Sequence, residues 1–352
     1  PHPSVDLGGS FYQWDNTPSP FAMACADLAS QGVVVSNLEE AVKTHPDLVR
    51  PILEEFWAGE DFRKLELANR AFWQGGSFLY VPPGVKASVP LEFVFSQQNC
   101  DFSFPRNVMV VGSGSEMVML EDHRSQALRP QNSVAFSRLI LQAGAKAHFF
   151  YTQGLGLETT HFWHQKCTLH KDAQLVHTSV MLGGSVHKTN LEVDLVGPGA
   201  RSDLFGIVLG KGHQHFDMRT FQNHRGQHTH SDLLFKSALK DNARSIYTGF
   251  ILVEKEALET QAYQANHNLL LSDSARADST PVLEILTDSV QCKHGATVGP
   301  LNSEELFYLE TRGLSEEESQ KMLITGFLDP ILSKLPLPSV REGLTSKIEE
   351  SL

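Results

Sequence analysis

Between Ser77 and about Thr297 the chain is written in short apolar runs. FLYVP, LEFVF, NVMVVG, EMVMLED and SVAFSRLILQ are the first of them, and RSIYTGFILV and VLEILT the last. Each is rich in β-branched or aromatic residues and is bounded by Gly, Asn, Asp or Pro, which predicts strands. No convincing amphipathic helix separates them, so alternating βαβ units are excluded. Turn and small residues recur ahead of the extended runs, as in AGAKAHF, KDAQLVH and GPGARSD. Ala145, Ala173 and Ala200 lie 28 and 27 residues apart, and the next step, to Ala243, is longer. A small residue at a near-constant period suits a coil that turns the same tight corner repeatedly, so a stacked β-coil is favoured over a sandwich.

The flanks follow another period. Residues 1–75 predict a small helical cap, poorly patterned up to residue 35. One helix starts at Ser36, where Ser36 and Glu39 have capping-box spacing, and stops near His45-Pro46. A second, about 61–73, presents Phe62, Leu65, Ala68, Ala71 and Phe72. The β region spans 76–299. Residues 300–352 predict a helical domain, with a capping box at Ser315 and Glu318, an apolar stripe of Met322, Leu323, Gly326 and Phe327, and a short charged segment over 341–352.

Charge narrows the class of partner. The 352 residues hold 29 basic and 41 acidic side chains, a net charge of −12. Nucleic acid and anionic membrane both need concentrated positive charge, so neither is expected as a partner. No apolar run approaches the roughly 20 residues that span a bilayer, and no charged-then-apolar leader opens the chain. The first residue, Pro1, fits a trimmed N-terminus. Four cysteines without a CxxC pair suit a reducing compartment.

Candidate chemistry concentrates in residues 281–313, PVLEILTDSVQCKHGATVGPLNSEELFYLETRG. Val282, Leu283, Ile285 and Leu286 begin it as a strand, and helix follows Gly299-Pro300. Cys292 and His294 lie two apart before Gly295, at the mouth of the expected strand-to-helix junction, so on an extended backbone both side chains aim at one face. Thiolate and imidazole suit zinc or ferrous iron. The bland reading of Cys292 is a small buried hydrophobe. Five histidines (His213, His215, His224, His228, His230) fall in one 18-residue window. They lack the glutamate of a cupin motif, with Arg219 and Thr220 in its place, and read more simply as exposed strand imidazoles. No GxSxG elbow, P-loop or GxGxxG after a strand is present. A β-coil polysaccharide lyase or hydrolase would need clustered carboxylates, whereas Asp122, Asp172, Asp194 and Asp203 are scattered. That enzyme class and a cupin-like metal protein stand as the alternatives.

VLEILTDSVQCKHGATVG followed by ELFYLETRGLSEEES resembles the C-terminal signature of the SufB/SufD family, scaffold proteins of the Suf iron–sulfur cluster assembly system. GFILVEKEALETQAYQANHNLLLSDSARADSTP and LELANRAFWQGGSFLYVPPGVKASVPLEFVF are similar to the same family. The resemblance covers roughly residues 30–330. It implies a parallel β-helix and a non-catalytic scaffold subunit, in bacterial cytoplasm or plastid stroma. It implies a SufB-type partner, joined through strands between about 225 and 297, with a homodimer when that partner is absent. It also implies that the C-terminal helices dock a SufC-type ATPase. A transient iron or iron–sulfur cluster at the subunit interface would be met by His294, with Cys292 a weaker neighbour. SufB-type chains carry an essential cysteine and a glutamate where this sequence has Asn266 and Gly295, so the chain resembles SufD more than SufB.

Overall fold

The computed structural model describes every residue except 1–6, 20, 21, 24, 25, 88, 127, 128, 336, 337, 339, 340, 344 and 347–352. The chain winds into a β-solenoid of about eight turns, with helices at both ends. One sheet, here sheet A, runs through Gly9–Trp14, Leu91–Gln97, Glu116–Ser125, Lys146–Gly154, Gln174–Met181, Arg201–Gly210, His230–Leu239, Thr260–Leu270 and Val290–Pro300. The other, sheet B, runs through Val34–Asn37, Ser77–Val81, Arg106–Val111, Gln131–Leu141, Thr159–Leu169, Val186–Leu195, His215–His224, Arg244–Val253 and Arg276–Ile285. From Leu91 in sheet A and Ser77 in sheet B onward these strands pair in parallel. This is the parallel β-helix the apolar runs and the resemblance predict.

The repeat reports a corner. Ala145, Ala173 and Ala200 are fully buried one residue before their sheet A strands. Just ahead of them the backbone turns through left-handed φ, at Gly144 (+67°), Asp172 (+56°) and Gly199 (+71°). Each of these N–H groups donates to a carbonyl of the next coil, Lys171, Pro198 and Gln227, at 2.8–2.9 Å. Glycine takes such a φ freely, and aspartate tolerates it. The same corner continues through His228 (φ +56°), followed by Thr229 instead of alanine. Ala243 therefore does not extend the series. It precedes Arg244–Val253 of sheet B and marks the opposite corner, with Gln214 one coil earlier and Ala275 one coil later.

Inward-facing residues of both sheets form one core, from Phe11 and Leu91 to Tyr247 and Ala275. Outward apolar residues are covered in two places. Helices Leu38–Thr44, Pro46–Glu54 and Arg63–Phe72 lie on sheet B over Phe78, Val108, Val110, Val134 and Phe136. Fully buried Asn69 fixes that packing by donating to the carbonyls of Pro105 (3.1 Å) and Val134 (2.9 Å). Helix Glu316–Leu332 lies on sheet A, with Ile324, Leu328, Ile331 and Leu332 buried against Phe150, Val180, Phe205 and Ile207. Its capping box at Ser315 and Glu318 forms as expected.

Three expectations need correction. The first 75 residues are more than a helical cap: Gly9–Trp14 pairs in parallel with Leu91–Gln97, and Val34–Asn37 pairs antiparallel with Ser77–Val81. Ser36 is not an N-cap, because that ladder holds it opposite Phe78. Asn37 caps instead, its Oδ1 accepting from Glu40 N at 2.7 Å. His294 is not at a strand-to-helix junction. It sits inside the eleven-residue strand Val290–Pro300, and helix begins at Ser303. The segment 341–352 lies partly outside the described residues.

Candidate functional site at the open end of the solenoid

The N-terminal end of the solenoid is closed by Gly9–Trp14 and its two short antiparallel partners, Thr17–Pro18 and Ala22–Met23. The other end is open. Arg276–Ile285 and Val290–Pro300 each pair with an earlier coil on one side only, so each offers a row of unpaired backbone donors and acceptors. Tyr263, Ile285, Leu286 and Val298 are exposed hydrophobics of the last two coils. Strands 230–239 and 244–253 pair on both sides, which narrows the edge available to a partner from about 225–297 to 276–300.

The last parallel pair sets the site. Cys292 stands opposite Ala262, His294 opposite Gln264 and Ala296 opposite Asn266. Ala262, Gln264 and Asn266 are buried inward positions, so Cys292 and His294 share the inward face of a coil that no further coil covers. Their environments differ. Cys292 is half-buried and packs with Ile251, Val253, Ala257 and Ala262, and burial pushes its thiol above the usual range. His294 is exposed. Asn266 is held by its neighbours: its amide donates to Phe235 O at 3.4 Å and accepts from Asn268 Nδ2 at 2.7 Å. Gly295, on the outward parity, has no side-chain donor to offer. Among the described residues no group of three or more His, Cys, Asp or Glu side chains comes together to hold a metal ion.

The histidine window is divided by the fold. His213 lies at one corner, His228 at the opposite one, and His215 and His230 stand outward at the starts of strands in different sheets. His224 points inward and is fully buried, its nitrogens 2.8 Å from Thr229 Oγ1 and 2.9 Å from Ser231 Oγ.

The strands 215–224 and 260–270 escape a search for apolar runs because most of their inward positions are polar. Thr220, Gln222 and His224 follow Phe216 and Met218 in one, and Gln264, Asn266 and Asn268 lie in the other. A column of buried polar groups farther inside is missed for the same reason. Glu121 is fully buried and accepts from His123 Nε2 and Trp163 Nε1, both at 2.9 Å. The rings of His123, His161 and His187 follow at centroid spacings of 5.0 and 5.2 Å. Their signal was the coil spacing itself, since His161 and His187 are partners one coil apart.

Residues 93–327 match the family described as SUF system FeS cluster assembly, SufBD core domain. The chain belongs to that family. It is 27% identical to the iron–sulfur cluster assembly protein SufD of Bacillus subtilis, over 97% of this chain and 79% of that one. To the SufBD family protein ML0594 of Mycobacterium leprae it is 34% identical, over 67% of this chain and 62% of that one. SufB of Bacillus subtilis is 28% identical, over 88% and 67%. Among the described residues no helix is long and apolar enough to cross a membrane.

Proposed function

We propose that the protein is a cytoplasmic, SufD-like, non-catalytic scaffold subunit of iron–sulfur cluster assembly. The observation that carries this reading is the open end, where two unpaired strand edges flank an exposed inward-facing His294. A SufB-type subunit adds its strands to the 276–285 and 290–300 edges and closes the coil. A neutral imidazole ligates iron through one ring nitrogen. His294 supplies that ligand, and the partner supplies the thiolate and carboxylate missing at Asn266 and Gly295. Iron and sulfide are cargo that assembles at the seam, and Cys292 serves first as packing beneath it. The exposed side of the C-terminal helices, with Phe307, Tyr308 and Met322, docks a SufC-type ATPase.

The test is co-expression with a SufB-type subunit and a SufC-type ATPase, followed by size exclusion and analysis of iron and acid-labile sulfide. One complex carrying both elements is expected. Elution of this chain apart from both partners, or cluster yield unaffected by its omission, overturns the reading.

A further inference from the structure

A second site lies on the outward face of sheet B, away from the open end. The loop carrying Gly59 to Phe62 bends over strands 186–195, 215–224 and 244–253 and encloses a pocket of about 430 Å³. That volume is in the range of small-ligand pockets. Its apolar surface is aromatic: Phe62 from the loop, then Phe221 and Phe250, which are register partners with rings 5.3 Å apart. Its charged lining is unequal, with Glu60, Asp61 and Glu192 against the single cation Arg219.

Three of these four charged groups have side-chain partners. Glu192 is deepest, its side chain 12% exposed, and it accepts from Asn190 Nδ2 at 2.8 Å. Burial raises its pKa, and a cation brought beside it would favour the ionised carboxylate. The nearby lysines have partners of their own. Lys166 lies 3.5 Å from Asp194 as well as 3.8 Å from Glu192, and Lys188 is 2.6 Å from Asp217. Lys188 Nζ also stands 5.6 Å from the centre of the Phe62 ring, on the attractive face of the aromatic quadrupole. Arg219 closes the mouth through an ion pair with Asp61, which joins the cap to the coil.

Aromatic walls combined with surplus carboxylate select cations. We infer that this pocket binds an alkylammonium or guanidinium group, which seats against Phe62, Phe221 and Phe250, reaches Glu192, and competes with Arg219 for Asp61. Two sources share that chemistry, a free polyamine and a basic side chain of a protein segment.

Calorimetric titration of the full chain at low salt tests it, with spermidine as one probe and acetyl-Gly-Arg-Gly-amide as the other. Binding of either supports the site, and the tighter of the two identifies the source. Phe250→Ala and Asp61→Asn should weaken binding about tenfold. Both side chains lie at the surface of the pocket, and melting curves check that the variants fold. Arg219→Gln should tighten binding several-fold, because it removes the internal competitor. Failure of both probes overturns the inference, as does weaker binding by the Arg219→Gln protein, which would mark an anion site. No outcome depends on the partners proposed for the open end.

Discussion

His294 stands directly across the last parallel pair from Gln264, so an exposed imidazole caps a column whose previous member is fully buried. The same column continues backward through Leu233, Leu204 and His177. His294 is exposed among the described residues, so its removal leaves no buried cavity there. His294→Ala should therefore leave the melting temperature within about 1 °C, as for surface substitutions that cost under about 0.5 kcal/mol. Iron and sulfide recovered with the co-expressed complex should fall severalfold. Cys292→Ser should show the opposite balance. It places a hydroxyl in the cluster of Ile251, Val253 and Ala262, and should lower stability by about 1 kcal/mol while cluster yield drops less. Unfolding by His294→Ala, or unchanged iron, would make the histidine structural.

The seam is tested at its exposed apolar positions. Val298 is 47% exposed and Leu286 53% exposed, both next to an unpaired edge. Charge there opposes strand addition without entering the core. Val298→Lys with Leu286→Lys should shift the isolated chain from dimer to monomer in light scattering, at unchanged circular dichroism. Ile251 lies inside the earlier coils and is 0% exposed, so charge at Ile251 would report on folding alone. A dimer that persists in the double variant would place the contact elsewhere.

How much was legible in the sequence follows from what lined the interior. Where a coil is filled by Leu, Val and Phe, as at Leu79, Val81, Leu91, Phe93 and Phe95 of strands 77–81 and 91–97, the run announces its strand. Strands 215–224 and 260–270 carry Thr, Gln, Asn and His at inward positions, and their register is fixed by neighbouring coils rather than by their own composition. The 27–28-residue spacing of Ala145, Ala173 and Ala200 was a true signal of one corner. Ala243 was mistaken for its continuation because either corner accepts a small residue. Cys292 and His294 could be placed on one face from their spacing. That one is half-buried and the other free required the fold, because the difference comes from Ile251, Val253 and Ala257, about 35–40 residues upstream.

The C-terminal helices need a finer tool than truncation. Removing everything after Gly299 would strip Ile324, Leu328 and Ile331 from Phe150, Phe205 and Ile207, exposing a large apolar face of sheet A. It would also delete the contact in which Lys236 Nζ donates to Phe327 O at 2.5 Å. Phe307 and Tyr308 are 67% and 56% exposed on the helix Ser303–Thr311, which buries no residue. The double substitution Phe307→Ala and Tyr308→Ala should abolish co-purification of the ATPase and leave the melting temperature nearly unchanged. ATPase retained at the wild-type ratio would assign the docking surface elsewhere.

Acid should loosen the solenoid from within. Burial lowers the pKa of His164, His177, His187 and His224 from the usual 6.5 to about 3, so the folded chain keeps all four neutral at pH 5 while the unfolded chain binds protons there. The stability these groups contribute is complete above pH 6.5 and is lost as pH falls from 6.5 toward 3. Each contributes a slope of about 1.4 kcal/mol per pH unit within that window. Three of the four have hydrogen-bond partners: His164 donates to Trp57 O at 3.1 Å, His177 meets Gln165 at 2.8 Å, and His224 meets Thr229 and Ser231. His187 has none at either nitrogen, and it stacks on His161 with Phe216 edge-on at 6.1 Å. An apolar ring of similar shape loses no bond there. His187→Phe should therefore unfold at lower pH than wild type, and its melting temperature should fall less between pH 7 and pH 5. Equal pH dependence in the two proteins would show that a proton at His187 is accommodated in the folded state.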